Sequence, residues 1–488
     1  MSGSITIFYG AVVTPISLKH WKALPNCLVV VGPTGNIEWM IDDVEHHRLE
    51  EMLSPKGYLT SEVIVLEEGE FLIPGFIDTH THAVQFPNLG KGGQYELLEW
   101  LLKVVFPKEE QFEDRHFAKE VFHEVIRRSL DFGTTTSCYY SSLHLDASKI
   151  LADVANKLGQ RAFIGKCNMD RENDKYSSYV EESTECSIRD TRHLISHIRS
   201  LVPVSKHASI GTMPEPLVQP ILTPRFALAC TSDCMNKLGH LADEHERVHP
   251  LEPPMRIQTH IAENPKEYED VINLYPKADG SYAKVYEMHG VLRETTVLGH
   301  AVHLTKKDIY WIKKKNAGIS HCPTSNFYLT SGIAPIGKYL DEGLKVGLGT
   351  DVGGGYAISM LNVIQNASIA SKMLYRQHLD RKHHPQPADT SASELTDNHH
   401  HTHCFTDCRL EVPTLFYLAT LGGADVCNLS KRTGSLAEGK SFDALLVSVL
   451  DDTGALGVWG KEAKSHGHSH TKKREKLEEN LERFLFLW

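Results

Sequence analysis

The segment Phe71–His82 reads FLIPGFIDTHTH, an apolar run that stops abruptly on Asp78, His80 and His82. Side chains two apart on a strand point to the same side, so both imidazoles address one point at the strand's end. Taken alone, the pair is equally compatible with two hydrogen-bonded core histidines. Three later segments break that tie: MRIQTH ends on His260, TTVLGH on His300 and KVGLGTD on Asp351. Each places a group able to ligate a metal just where an apolar run ends.

Outward from these words the chain repeats one pattern. Apolar runs FLIPGFID (71–78), GTTTSCYY (133–140), RAFIGKC (161–167), QPILTPRF (219–226), MRIQTHI (255–261), TTVLGHAV (295–302), AGISHCP (317–323) and KVGLGTD (345–351) alternate with longer segments of helical period, such as 117–130 and 285–292. Such alternation predicts an α/β fold with a parallel sheet. A closed (β/α)8 barrel of the TIM type puts the polar strand ends together at the C-terminal mouth, where active sites sit; a doubly wound sheet is the alternative. Residues 1–73 carry short alternating runs punctuated by Gly and Pro, expected as antiparallel strands. The run SFDALLVSVL (441–450) is expected to rejoin them. The predicted organisation is a barrel over 74–430 beside a small β-sandwich domain assembled from 1–73 and 431–488. Two polar, His-rich stretches, 377–404 and 461–481, are expected as solvated insertions, the second ending in the exposed face of a mixed-charge helix.

Composition narrows the function classes. The 488 residues are 41% hydrophobic and 23% charged, enough apolar material for a large domain and a smaller one. A net charge of -11 repels a phosphate backbone, so no nucleic-acid partner is expected. No stretch reaches the roughly 20 apolar residues of a membrane helix, and the N-terminus lacks a basic segment before an apolar one. Ten scattered cysteines form no paired framework and suit reduced thiols in a cytosol.

Imidazole and carboxylate ligands suit zinc or ferrous iron, and a catalytic site keeps a position open for water. Glu263 follows His260 by three residues, close enough to fold over such an ion as a proton shuttle; a carboxylate placed at a helix N-terminus for its dipole is the other reading. The zinc site of nucleoside deaminases needs a P-C-x-x-C word, which this chain lacks. Ser320-His321-Cys322-Pro323 invites a Cys-His nucleophile, but no third group orients it.

The ordered ligand set, with PGFIDTHTH, SHCPTSN and GLGTD around it, resembles the amidohydrolase superfamily. Within that superfamily the words DTHTHAVQFPNLG, LLEWLLKVVFP, FGTTTSCYY, LTPRFALAC, THIAEN, GLGTDVGGGYAISML and LATLGGAD are similar to the guanine deaminase family, across most of residues 66–450. The resemblance implies that His80, His82, His260 and Asp351 bind one zinc while His300 orients the attacking water and helps accept its proton. It further implies that Glu263 shuttles protons and that Gln85, Arg225 and Phe226 hold a purine beneath Trp100, with His82, His260, Glu263 and Asp351 also bordering the substrate. Outside its TPRF word, Arg225 reads better as a structural ion pair. The implied activity is deamination of guanine to xanthine by a cytosolic homodimer. Rival activities are deamination or dechlorination of a pterin, triazine or adenosine-like ring, or a non-catalytic scaffold. The resemblance also implies further strands after ERFLFLW (482–488), so the small domain is expected to be incomplete at its C-terminal end.

Overall fold

The computed structural model describes residues 5–172, 179–201, 216–383, 405–406, 409–449 and 470–487. Strands β1 (Thr6–Ser17) and β2 (His20–Val31) form a long antiparallel pair, extended by β3 (Ile37–Ile41). Leu28 and Val30 of β2 pack with Ile7 and Tyr9, whereas Cys27, Val29 and Val31 pack with Val12 and Leu24. Burial on both faces explains why this stretch reads as a continuous run, CLVVV, with no alternation. Strands β4 (Val63–Val65) and β5 (Glu70–Pro74) then join β1 in parallel. The expectation of short, purely antiparallel strands is therefore corrected to a mixed sheet, because the chain crosses back over one face before it re-enters.

The run FLIPGFID divides at Gly75: its first half is β5 of the small sheet and its second half opens β6 (Phe76–His82) of the barrel. A side chain at Gly75 would meet Thr135 Oγ1 at 2.0 Å and Asp443 Oδ1 at 2.6 Å, so the passage between the two sheets admits only glycine. The barrel continues through β7 (Thr134–Tyr140), β8 (Arg161–Gly165), the two-residue β9 (Cys167–Asn168), β10 (Val218–Pro224), β11 (Arg256–Ile261), β12 (Thr296–His300), β13 (Gly318–His321) and β14 (Lys345–Leu348). All its pairings are parallel and follow chain order, which excludes the doubly wound alternative, whose strand order reverses. Residues 117–130 lie in the helix Arg115–Asp131, whose N-cap Asp114 accepts from the amides of His116 and Phe117. Strand β15 (Ala444–Ser448) returns to the small sheet antiparallel to β5.

The helix Met360–His383 runs through residues 377–383 of the expected insertion; the remainder, 384–404, lies outside the described residues, as does 461–469 of the second insertion. From residue 470 that second stretch is the helix His470–Leu487, which buries Leu477, Leu481 and Leu485 in the main core cluster. Among the described residues no helix is long and apolar enough to cross a membrane.

The barrel closes between β6 and the end of β14. Thr79 Oγ1 donates to Leu348 O (2.8 Å), the Asp351 amide donates to His80 O (2.9 Å), and Thr350 donates to Asp78 twice, from its amide (2.9 Å) and its hydroxyl (2.5 Å). Burial pushes the Asp78 carboxyl up to about 6 even though Thr350 and the His80 amide stabilise its anion. A folded value above the unfolded one means that Asp78 favours folding most at low pH, and that this contribution is lost as pH rises through 6. Thr350→Val removes one donor to that anion. Urea denaturation is expected to register a loss of about 1.5–3 kcal/mol, larger at about pH 8 than at about pH 5.

Candidate active site

Five groups converge at the C-terminal mouth of the barrel: His80 and His82 from the end of β6, His260 from β11, His300 from β12 and Asp351 three residues past β14. All are buried except His260, which is partly exposed. His300 (φ 70°) and Asp351 (φ 46°) sit in the left-handed region, as do Ala262 (φ 50°) and Ala301 (φ 53°). Non-glycine residues held there cost of order 1–3 kcal/mol each, and such strain clusters where strand ends are bent to aim side chains at a site.

The ligating atoms of His80, His82, His260 and Asp351 lie within 4.8 Å of one another. Nε2 of His82 stands 3.0 Å from Nε2 of His260 and 3.4 Å from Asp351 Oδ1, and His80 Nε2 is 3.2 Å from the same oxygen. His260 Nδ1 is taken by the carbonyl of Arg225 at 2.6 Å, which fixes the tautomer and leaves Nε2 free to ligate. Neither ring nitrogen of the fully buried His80 has a hydrogen-bond partner with acceptable geometry. Burial holds the His82 and His260 imidazoles well below their ordinary range, so both are neutral, as ligands must be. Burial alone would raise Asp351, but His300, His80 and His82 outweigh it and hold the carboxylate ionised. Three neutral imidazoles, one carboxylate and orphaned buried nitrogens fit a divalent transition ion. Cys322 also lies within reach of His80 and His300. Burial pushes its thiol well above the usual range, which removes the thiolate that a Cys-His nucleophile requires.

Glu263 is buried 3.4 Å from His300 through its Oε2 and accepts a long bond (3.5 Å) from Ser331 on Oε1. Burial first, then the negative charges of Asp351 and Glu267, push its carboxyl well above the ordinary range. The helix-terminus reading belongs to Glu267 instead: the helix Pro265–Leu274 is capped by Asn264, and Glu267 completes the capping box. Glu263 is left to face the cavity.

That cavity lies between His82, Gln85, Leu97, Trp100, Leu101, Arg225, Phe226, His260, Glu263, Glu267, His300 and Asp351. All ten residues singled out in the sequence lie in or beside it; His80 alone sits below, against the Tyr140 ring at 4.8 Å. The indole of Trp100 is pinned by a bond to Lys91 O (3.3 Å). Four contributors were not singled out. Tyr140 packs its ring 4.4 Å from His82; Asn326 Oδ1 holds His300 Nδ1 at 3.0 Å; Glu267 lines the floor; Glu109 binds both Arg225 and Gln85. Tyr140 ends the apolar word GTTTSCYY and was legible as another strand end, whereas Glu109 sits in an ordinary charged stretch, FPKEEQ, with nothing to mark it.

A model of the amidohydrolase family matches residues 71–464. The chain belongs to that family. It is 39% identical over 448 residues to a guanine deaminase of Dictyostelium discoideum, covering 91% of this chain and 88% of the relative. It is 35% identical over 442 residues to a guanine deaminase of Homo sapiens, covering 91% and 86%. Among solved structures it superposes on a guanine deaminase from C. acetobutylicum, determined with guanine bound in the active site, with a TM-score of 0.78 and 29% identity over 99% of this chain and 96% of that one.

For this amidohydrolase the ligand geometry makes a direct forecast. Elemental analysis after gel filtration should find a divalent transition ion in the purified protein. His260→Ala should lose most of it, while the same change at His245, a buried histidine bonded to Pro253 O and outside the site, should leave it in place.

Proposed function

We propose that this chain hydrolytically deaminates guanine to xanthine and ammonia with one zinc ion per subunit. The observation that carries the reading is the placement of the buried Glu263 beside a His3Asp ligand group, inside a cavity walled by Gln85, Trp100, Arg225 and Phe226. The guanine deaminases to which the chain is similar support the choice of ring. Zinc held by His80, His82, His260 and Asp351 would supply Lewis acidity that makes water a nucleophile at neutral pH.

The residues around that point divide the remaining work. Glu263, whose carboxyl is pushed well above the ordinary range by burial and by the charges of Asp351 and Glu267, donates to the ring nitrogen beside the attacked carbon, C2, and later delivers a proton to the departing amine. His300, with Nδ1 committed to Asn326, keeps Nε2 toward Glu263 and Asp351, where it orients the attacking water and helps accept its proton. Arg225 donates to the O6 and N7 acceptors of the purine, and Phe226 and Trp100 pack on its faces. Gln85 contributes a buried amide.

A cytosolic homodimer completes the proposal. The described cysteines are all free thiols, which suits a reducing compartment, and the dimer follows from the family resemblance. Light scattering coupled to gel filtration tests the dimer.

The assay is loss of guanine absorbance with release of ammonia from zinc-loaded protein, run beside a pterin, a triazine and adenosine. Turnover of guanine is expected; turnover of another ring with guanine untouched rejects the substrate. Glu263→Gln is expected to lower kcat by about 10²–10⁴-fold with zinc retained, and near-normal turnover in that variant would refute the shuttle.

A further inference from the structure

We infer that Glu109 is a positioning residue that makes the cavity select a ring with a C=O acceptor next to an N–H donor, as in a 6-oxopurine, over the 6-aminopurine in which the two are exchanged. The inference rests on the proposed function and extends it to how the ring is chosen.

Glu109 is fully buried and touches no metal-ligating residue in any described bond. Its Oε2 accepts from Arg225 Nη1 at 2.6 Å and its Oε1 from Arg225 Nη2 at 3.0 Å, a bidentate pair; the same Oε1 accepts from Gln85 Nε2 at 3.0 Å. The guanidinium carbon sits over the Phe106 ring, 5.0 Å from its centre. Burial works against the charge of Arg225, and Glu109 more than restores it. The ion pair is thus neutral as a unit and favours an uncharged ring over an anion.

The consequence for Gln85 is chemical. An ionised carboxylate only accepts, so the Gln85 amide must turn its NH2 group toward Glu109. Its Oε1 is left buried with no partner, beside Gly353. Gly353 has φ 109°, and a side chain there would come within 2.3 Å of that oxygen, so the backbone closes over the amide and leaves no room for it to swing away. Arg225 Nη1 also faces Met169 Sδ at 3.5 Å; of the cavity-lining Arg225 and Gln85, the guanidinium N–H groups left over are the donors and the unpartnered Gln85 Oε1 is the acceptor. Guanine presents O6 as acceptor and N1–H as donor on one edge. 2,6-Diaminopurine keeps the scissile C2 amine but presents a donor at position 6 and an acceptor at N1. A site whose buried polar groups go unpaired rejects such an analogue strongly.

The test compares kcat/KM for guanine and 2,6-diaminopurine in the zinc-loaded wild type, Glu109→Gln and Glu109→Asp, with metal content measured throughout. A glutamine at 109 lets the Gln85 amide turn over and releases the guanidinium. KM for guanine is expected to rise about tenfold or more with a smaller fall in kcat, and the guanine preference to shrink about tenfold. A side chain that only braced the fold would move both substrates together and leave the ratio intact. Glu109→Asp keeps the charge but is one methylene too short to hold Arg225 and Gln85 at once, and is expected to lose part of the ratio. Should Glu109→Gln fail to accumulate as metal-loaded protein, an Asp variant with the wild-type ratio overturns the inference. A wild type that converts both purines equally also overturns it while leaving the proposed function standing, whereas a wild type inert to guanine removes both.

Discussion

The seam between Asp78 and Thr350 is what the active site is built on. A parallel barrel closes only if its first and last strands meet, and here the meeting is made by a buried carboxylate that accepts from both donors of Thr350, flanked by bonds from Thr79 to Leu348 and from Asp351 to His80. The Asp351 amide is bound to the carbonyl of the very histidine whose ring its carboxylate faces. Closure and ligand assembly are therefore a single event: a barrel slipped by one residue at this seam would turn Asp351 away from His80 and His82. The left-handed backbone of His300 and Asp351 follows from the same demand, because both chains must turn sharply just where their side chains have to point inward.

That geometry gathers ionisable groups where water cannot solvate them, and the molecule tolerates the cost by dividing the charge. Burial works against the Asp351 anion but its histidine neighbours outweigh it, burial penalises the charged form of His82 and His260, and burial first, then the anions of Asp351 and Glu267, push Glu263 up. A cation bound among the ligands would be the largest charge in the site and would complete this balance. The unpartnered nitrogens of His80 mark where the balance is unfinished in the protein alone.

How much of this was legible in the sequence depended on whether a residue's role is written in local pattern. Strand ends were legible, because an apolar run that stops on His or Asp is a local signal; His80, His82, His260, His300 and Asp351 were all found that way. The barrel order followed from the alternation of strand and helix. The division of FLIPGFID between two sheets was not legible, since each half is apolar and only the neighbours of Gly75, Thr135 and Asp443, distant in sequence, show why the chain must pass there. The parallel pairings of β4 and β5 with β1 depend likewise on how a crossover packs. Glu109 was invisible for a further reason: its position in FPKEEQ looks solvated, and only the tertiary contact with Arg225, 116 positions away, buries it. The local reading of Arg225 as a structural ion pair is what the fold shows, since Glu109 holds its guanidinium at the cavity wall.

Glu263 and Glu267 show how position, rather than residue type, sets a carboxylate's work. They stand four apart, both buried, and burial raises both. Glu267 accepts from the amides of Glu263 and Asn264 and from the hydroxyl of Tyr282, so its oxygens are occupied by donors that hold it in place. Glu263 has a long bond from Ser331 on one oxygen and His300 Nε2 at 3.4 Å from the other. A carboxyl saturated with hydrogen bonds has little left to exchange with a substrate, whereas Glu263 lines the cavity. The helix-capping group thus supports the backbone that carries Glu263: Glu267 holds its amide, and the side chain of Glu263 is left facing the cavity. Had the capping role fallen on Glu263 itself, its oxygens would have accepted from the helix amides, which stabilise the anion, and no carboxyl would face the cavity from this turn.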